Sequence, residues 1–146
     1  MARRPASATA TTPTDEHRFV HRGHHMRYES YGTGDRVLVY MHGLLLDSGI
    51  NRGLARALAE QGFRVVLLDL LGHGGSDKPD HASEYRMDLY AAQLMALLDD
   101  LGVPAAAVGG VSLGANVSLA AAVRAPDRMI GMVLEMPVLE WAVPAA

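Results

Sequence analysis

The sequence predicts an α/β fold in which a mostly parallel sheet carries helices on both faces. Short apolar runs at residues 37–41, 65–68, 105–109 and 130–136 alternate with segments of helical length. Nearly continuous apolar runs are typical of strands covered on both faces, and strand–helix alternation favours parallel pairing with right-handed crossovers. The 146 residues are enough for one domain with a hydrophobic core and too few for two.

The N-terminal part divides into a tail and a hairpin. Residues 1–15 are rich in Ala, Thr, Ser and Pro, have little apolar surface to bury and are predicted to be disordered. The folded domain is therefore expected over residues 16–146. Arg22 and Gly23 lie between two short strand-like runs, which predicts a hairpin turn at that point.

Two longer helices are predicted from apolar spacing. The first has three apolar residues four apart, which are Ile50, Leu54 and Leu58. Gly62 is expected to end it. The second is predicted over residues 84–101, with Ser83 capping its start and Gly102 following its end.

The most informative segment is Gly-Val-Ser-Leu-Gly at residues 110–114. It follows a small-residue apolar run and precedes a helix-forming segment. A strand that turns sharply into a helix brings Gly110 and Gly114 close to neighbouring backbone, where a Cβ would clash. The hydroxyl of Ser112 would then project from the sheet edge beside free helical N–H groups. This pattern predicts a nucleophile at Ser112.

Two other segments follow predicted strands directly. His42 and Gly43 come immediately after the strand at residues 37–41. A glycine-dense stretch, residues 69–79, follows the next strand and begins with Asp69. An aspartate at the end of a strand can accept hydrogen bonds from loop N–H groups, so Asp69 is predicted to fix the loop.

Together these three segments resemble those of the α/β-hydrolase fold family. The resemblance extends over residues 17–140 and implies that Ser112 is the nucleophile and that the N–H groups of Leu44 and Leu113 form an oxyanion hole. It also implies loop-shaping roles for five residues, which are His42, Gly43, Asp69, Gly110 and Gly114. Because the nucleophile is serine and not aspartate, the resemblance favours acyl transfer over dehalogenase or epoxide-hydrolase chemistry.

The chain also departs from the family pattern, in which an Asp or Glu and then a His follow the nucleophile. No histidine lies beyond His81, so the catalytic base is missing from this sequence. Glu135, at the end of the strand after Ser112, is the candidate acid, whereas Asp127 fits a surface turn. The chain therefore resembles the N-terminal six strands of a truncated hydrolase fold, and it is expected to be inactive alone.

The expected substrate is a small molecule with an apolar acyl or aromatic group. The expectation comes from three consecutive leucines beside the oxyanion segment, which are Leu44, Leu45 and Leu46. Esterase, carbon–carbon hydrolase, perhydrolase and acyltransferase activities all remain open. A second interpretation is a non-catalytic fragment or interaction module on a hydrolase scaffold, because fold alone does not fix function.

Composition argues against several other classes. A net charge of −3 and 5% aromatic residues do not favour nucleic-acid binding, and no apolar run is long enough to span a membrane. Ala115 and Asn116 replace the Lys and Ser/Thr of a phosphate-binding loop. The histidines at positions 21, 24 and 25 are interpreted as surface residues, so no metal and no cofactor are expected. The N-terminus lacks a complete signal, which favours a cytoplasmic location.

The last predicted strand has a distinctive edge. Residues 129–134 are almost wholly apolar, and no further strand is predicted after them in this sequence. An uncovered apolar edge invites pairing with another strand. Self-association, or pairing with a second chain through this strand, is therefore expected.

Overall fold

The structure is a computed structural model and describes residues 15–139. The strands are β1 Asp15–His21, β2 His24–Tyr31, β3 Arg36–Met41, β4 Phe63–Asp69, β5 Ala106–Val111 and β6 Met129–Glu135. The helices are α1 Arg52–Glu60, α2 Met87–Asp100 and α3 Leu113–Arg124. The strands form one sheet in the spatial order β1-β2-β4-β3-β5-β6.

The predicted hairpin joins β1 and β2, which pair antiparallel. Arg22 and Gly23 both have positive φ, 52° and 81°, as in the primed turns that match strand twist. β1 begins at Asp15, the last residue of the predicted tail. The rest of that tail lies outside the described residues.

The remaining pairings confirm the predicted fold class. β2 pairs antiparallel with β4, whereas β4, β3, β5 and β6 are mutually parallel. α1 covers one face, where Ala55 packs with tyrosines and aliphatic side chains of β2, β3 and β4. α2 and α3 cover the other face through a larger apolar core. The sheet is thus mostly parallel with helices on both sides.

The predicted apolar face of the first helix is wrong. Ile50 is 58% exposed and Leu54 is 39% exposed, whereas Ala55 is fully buried. A 3-10 turn at Ser48–Asn51 precedes α1 and changes the helical phase, so Ile50 does not continue the face that α1 buries. Leu58 is partly buried against the core, as expected.

The predicted start of the second helix is also wrong. α2 begins at Met87, with Arg86 at the N-cap and no side-chain cap, because Ser83 lies within a separate 3-10 turn, Ala82–Glu84. Gly102, with φ of 66°, follows the end of α2 as predicted.

Within residues 15–139, no helix combines the length and apolarity that crossing a membrane requires.

β6 is an edge strand that pairs only with β5 among the described strands. Its side chains are largely exposed, including Ile130 at 74% and Val133 at 48%. The apolar edge predicted from the sequence is therefore uncovered within the part of the chain that the structure describes.

Candidate active site

Three loops meet where the parallel strands β3, β4 and β5 end. We call them the His42 loop, residues 42–48, the Asp69 loop, residues 69–79, and the Ser112 turn, residues 110–114. The carboxyl ends of parallel strands share one edge of a sheet, which is where α/β folds usually bind ligands. The three segments singled out in the sequence therefore lie at one edge.

Ser112 occupies a strained backbone conformation between β5 and α3. Its φ of 51° and ψ of −104° are rare for a residue with a Cβ. Three backbone hydrogen bonds hold the turn: the Ser112 N–H donates to the Glu135 carbonyl (2.8 Å), the Gly114 N–H to the His42 carbonyl (3.1 Å) and the Asn116 N–H to the Ser112 carbonyl (3.0 Å). The Ser112 hydroxyl makes no capping hydrogen bond to α3.

The flanking glycines are required by close backbone contact. A Cβ on Gly110 would lie 2.8 Å from the Gly114 Cα, and a Cβ on Gly114 would lie 2.7 Å from the Met41 carbonyl carbon. Gly43 differs, because the nearest atom to an added Cβ is the Leu46 Cδ1 at 3.4 Å. That added Cβ would be 3.9 Å from the Ser112 Cβ, so the His42 loop lies directly beside Ser112.

Two backbone N–H groups beside Ser112 are available for a ligand. In the His42 loop, the Leu46 N–H donates to the Gly43 carbonyl (3.2 Å), which leaves the Leu44 N–H outside the turn's hydrogen bond. Leu113 is the first residue of α3, where N–H groups have no intrahelical acceptor. Within residues 15–139, neither N–H donates to a backbone acceptor outside the regular helices and strands. The predicted oxyanion pair is thus near Ser112, while its catalytic role remains a prediction.

A cleft of about 210 Å³ opens over Ser112. Its lining comprises Leu44, Met87, Ser112, Leu113, Asn116 and Val138. Four of these six side chains are apolar and one, Ser112, carries a hydroxyl. The cleft therefore suits a mostly apolar ligand. A larger hollow of about 440 Å³ lies near the amino ends of the parallel strands, far from the three loops.

His42 has no free ring nitrogen. Its Nε2 accepts from the Leu70 N–H (3.1 Å) and its Nδ1 donates to the Gly43 carbonyl (2.8 Å). Burial lowers the pKa of the imidazole, the Gly43 hydrogen bond opposes this, and the nearby His73 ring adds to the lowering. His42 therefore connects the His42 loop to the Asp69 loop and is not free to take a proton from Ser112.

Asp69 is fully buried beneath these loops. Its carboxylate accepts hydrogen bonds from the N–H groups of Ser48 (2.8 Å) and Gly75 (2.9 Å), and from Arg27 (2.9 Å). Burial by itself would raise the pKa of Asp69, but these hydrogen bonds outweigh it and lower the pKa. This carboxylate therefore joins the His42 loop, the Asp69 loop and the neighbouring strand β2.

Arg27 belongs to a cluster that sequence reasoning missed. We call Arg27, Glu29, Arg52 and Asp69 the ionic cluster. Glu29 accepts from Arg27 (2.7 Å) and from Arg52 (2.5 Å). Burial opposes ionisation of Glu29, but hydrogen bonds from Arg52, Tyr31 and Arg27 lower its pKa to about 2. The available signal was the alternation of charged and aromatic residues in β2, which does not reveal their partners.

Glu135 lies at the end of β6, next to Ser112. Its backbone carbonyl accepts the Ser112 N–H, and its carboxylate accepts a hydrogen bond from the Tyr40 hydroxyl. Burial raises the pKa of Tyr40, and the bond to Glu135 raises it further. A tyrosine inside the apolar run of β3 was the signal for such a contact, because a buried hydroxyl needs a partner. Asp127 lies in a 3-10 turn, Pro126–Arg128, away from this contact.

Of the three histidines interpreted as surface residues, only His25 is exposed, whereas His21 and His24 are half-buried and the His21 Nε2 is buried. His24 and His25 contact carboxylates. The His24 Nε2 lies 3.5 Å from Glu84, and the His25 Nδ1 lies 3.5 Å from Asp77. Over residues 15–139, no group of three or more potential metal-ligating side chains is brought together.

Comparison with known proteins shows which family the chain matches. The sequence profile of a family described as alpha/beta hydrolase fold matches residues 36–145. A hydrolase from Burkholderia vietnamiensis, named for 2-hydroxy-6-oxononadienedioate and 2-hydroxy-6-oxononatrienedioate, is 36% identical over 75% of this chain. Strigolactone esterase D14 of Arabidopsis thaliana is 34% identical over 70% of it.

A solved structure that superimposes on this fold is also that of a hydrolase. The crystal structure of epoxide hydrolase A from Mycobacterium thermoresistibile superimposes with a TM-score of 0.80 and 32% identity over 84% of this chain. The chain spans only part of these proteins: 38% of the Burkholderia hydrolase, 39% of the Arabidopsis esterase and 39% of the epoxide hydrolase.

Proposed function

Because the chain belongs to the α/β-hydrolase fold family, we propose that it carries the nucleophile and oxyanion hole of a serine hydrolase acting on small molecules. The observation that carries the proposal is the backbone of Ser112, held at positive φ between β5 and α3 with its side chain at the apolar cleft. Strain of this kind persists where surrounding contacts enforce it and is typical of functional sites.

The chemistry follows from the groups around Ser112. Its Oγ would attack the carbonyl carbon of an ester or acyl substrate, forming a C–O bond while the hydroxyl proton passes to a base. The carbonyl oxygen becomes anionic and would accept hydrogen bonds from the N–H groups of Leu44 and Leu113. The leaving group departs with a proton, and water then releases the acyl group from Ser112.

The base is not among the groups that the sequence offers near Ser112. No histidine follows position 81, and both nitrogens of His42 are already hydrogen bonded. The proposal assigns the base to an imidazole supplied from outside these 146 residues, with Glu135 as the candidate acid that orients it. Supplied alone, the chain is expected to turn over esters very slowly, because catalysis without the base rests on the oxyanion hole and binding.

The mostly apolar lining of the cleft supports a substrate with an apolar acyl or aromatic group. A serine nucleophile supports acyl transfer, as the esterase among the relatives also suggests. Esterase and carbon–carbon hydrolase chemistry use the same serine, and perhydrolase or acyltransferase activity would do so as well. No cofactor is part of the proposal.

The test is covalent labelling of the 146-residue chain with an alkyl fluorophosphonate, with and without millimolar imidazole. The Ser112 Oγ would bond to phosphorus, fluoride would leave, and imidazole would take the hydroxyl proton. Intact mass and peptide mapping should place one adduct on Ser112, formed faster with imidazole. Ser112→Ala should remove the adduct, whereas Ser83→Ala, on an exposed turn, should not. A folded protein that shows no adduct on Ser112 would contradict the proposal.

A second candidate function is an interaction module, and the uncovered strand β6 favours it. The exposed apolar side chains of Ile130 and Val133 would be covered if β6 paired with a second copy or another chain. Light scattering on a size-exclusion column tests this, since a monomer at high concentration would contradict self-association.

A cytoplasmic location stays a prediction from the sequence.

A further inference from the structure

Asn116 makes a two-way hydrogen bond with the backbone of Val138. Its side-chain amide N–H donates to the Val138 carbonyl (2.8 Å), and its Oδ1 accepts the Val138 N–H (2.9 Å). The amide thereby bonds Val138 as a neighbouring strand would, using the donor and the acceptor of one peptide residue. This interaction has no part in the formation of α3 itself.

The two ends of this contact differ in how firmly they are held. Asn116 lies in the first turn of α3, where its N–H donates to the Ser112 carbonyl (3.0 Å), so it is fixed relative to the nucleophile. Val138 lies beyond the end of β6, after Met136 turns the chain with a φ of 47°. The segment at residues 136–139 is in neither helix nor strand, and the two bonds to Asn116 hold it at Val138.

Through these two hydrogen bonds, Asn116 holds Val138 in the lining of the cleft. Asn116 and Val138 both line the 210 Å³ space over Ser112, and Val138, 68% exposed, supplies an apolar side chain there. That volume is below the roughly 300–1,000 Å³ of pockets that hold drug-sized ligands. A side chain held in this position can contact an apolar group that lies beside Ser112.

We propose that Asn116 is a positioning residue that sets acyl-chain selectivity by holding Val138 as the end wall of the cleft, so that short apolar acyl groups are preferred. This inference rests on the proposed function, since it assumes that the acyl group binds in the cleft over Ser112. It assigns to Asn116 no contact with the reacting atoms.

The first measurement tests the contact independently of any chemistry at Ser112. Amide hydrogen exchange of the 146-residue chain should show a protected Val138 N–H, with protection reduced about tenfold or more in Asn116→Ala. Asn116→Asp keeps the acceptor for that N–H and should retain part of the protection. Val123→Ala, an exposed position on the same helix, is the matched control. Equal exchange in wild type and Asn116→Ala would overturn the proposal.

The second measurement tests selectivity, using ethyl and octyl fluorophosphonates with imidazole. In the wild type, Ser112 should react faster with the ethyl probe. In Asn116→Ala the octyl-to-ethyl rate ratio should rise by about tenfold, in the range that pocket walls impose on chain length. Val138→Ala should raise the ratio while leaving the exchange of residue 138 protected, because its backbone bonds to Asn116 remain.

The outcomes separate the two proposals. If no probe labels Ser112 in the wild type, the proposed function fails. If both probes label Ser112 but the ratio is unchanged in a folded Asn116→Ala variant, the selectivity role of Asn116 is overturned and the proposed function stands.

Discussion

The Asp69 loop and the Ser112 turn lie at the same edge of the sheet, yet their polar side chains differ in burial and in hydrogen bonding. Asp69 is fully buried, and its carboxylate is bonded to two loop N–H groups and to Arg27. Ser112 stands at a cleft, makes no capping bond and has a strained backbone. A carboxylate bonded to loop backbone and to Arg27 stabilises the loops, whereas a hydroxyl that makes no capping bond and lines a cleft is available for chemistry.

This difference predicts that substituting Asp69 lowers the free energy of unfolding more than substituting a surface carboxylate does. Asp69→Asn keeps the shape but removes the charge that compensates Arg27, and it places an N–H₂ group among hydrogen-bond donors. We expect a loss of about 3 kcal/mol in the free energy of unfolding, measured by urea titration. Asp127→Asn, in the surface turn, should change it by less than about 0.5 kcal/mol. Similar small effects for both variants would mean that the buried carboxylate does not stabilise the loops.

The ionic cluster also predicts an acid-sensitive fold. The folded protein keeps Glu29 ionised down to about pH 2, whereas the unfolded chain takes up a proton near pH 4.5. The unfolded state therefore binds more protons in this window, and stability falls as the pH is lowered through it, by about 3 kcal/mol for Glu29. The lowered pKa of Asp69 acts in the same direction.

Urea titrations between pH 5 and pH 2 test this dependence, with Glu29→Gln as the comparison. The variant should be less stable at pH 5 and should lose less stability on acidification. A wild type whose stability is flat across that range would show that Glu29 is not held as the structure has it.

The glycines sharpen the contrast between the Ser112 turn and the His42 loop. Gly114→Ala places a Cβ against the Met41 backbone, so the turn must shift, and we expect a loss of about 2 kcal/mol. Gly43→Ala makes its tightest new contact with the end of the Leu46 side chain, at 3.4 Å, and should cost less than about 1 kcal/mol. Chemical denaturation of the pair checks the order, and a reversed order would contradict the tight packing of the turn.

The smallest expected effect concerns the strain itself. Glycine tolerates the φ of 51° at position 112 better than any residue with a Cβ. Ser112→Gly should therefore be more stable than Ser112→Ala by about 1 kcal/mol, as judged from their urea midpoints. If the glycine variant is equally or less stable, the turn stores no strain.

How much the sequence could predict depended on whether the signal was local. The strands that become β3, β4 and β5 were predictable because each is an apolar run, and Gly110 and Gly114 pointed to the close contacts that the structure has. The phase of α1 was missed because a 3-10 turn of four residues precedes it. The contacts of Asn116 with Val138 and of Tyr40 with Glu135 join residues 22 and 95 positions apart, and local patterns do not encode such partners.

We propose above that the Ser112 hydroxyl faces the N–H groups of Leu44 and Leu113. The most direct measurement is a crystal structure of the chain after reaction with an alkyl fluorophosphonate. We expect an adduct on the Ser112 Oγ with its phosphoryl oxygen about 2.7–3.1 Å from both backbone nitrogens. An adduct whose phosphoryl oxygen points away from both nitrogens would contradict it.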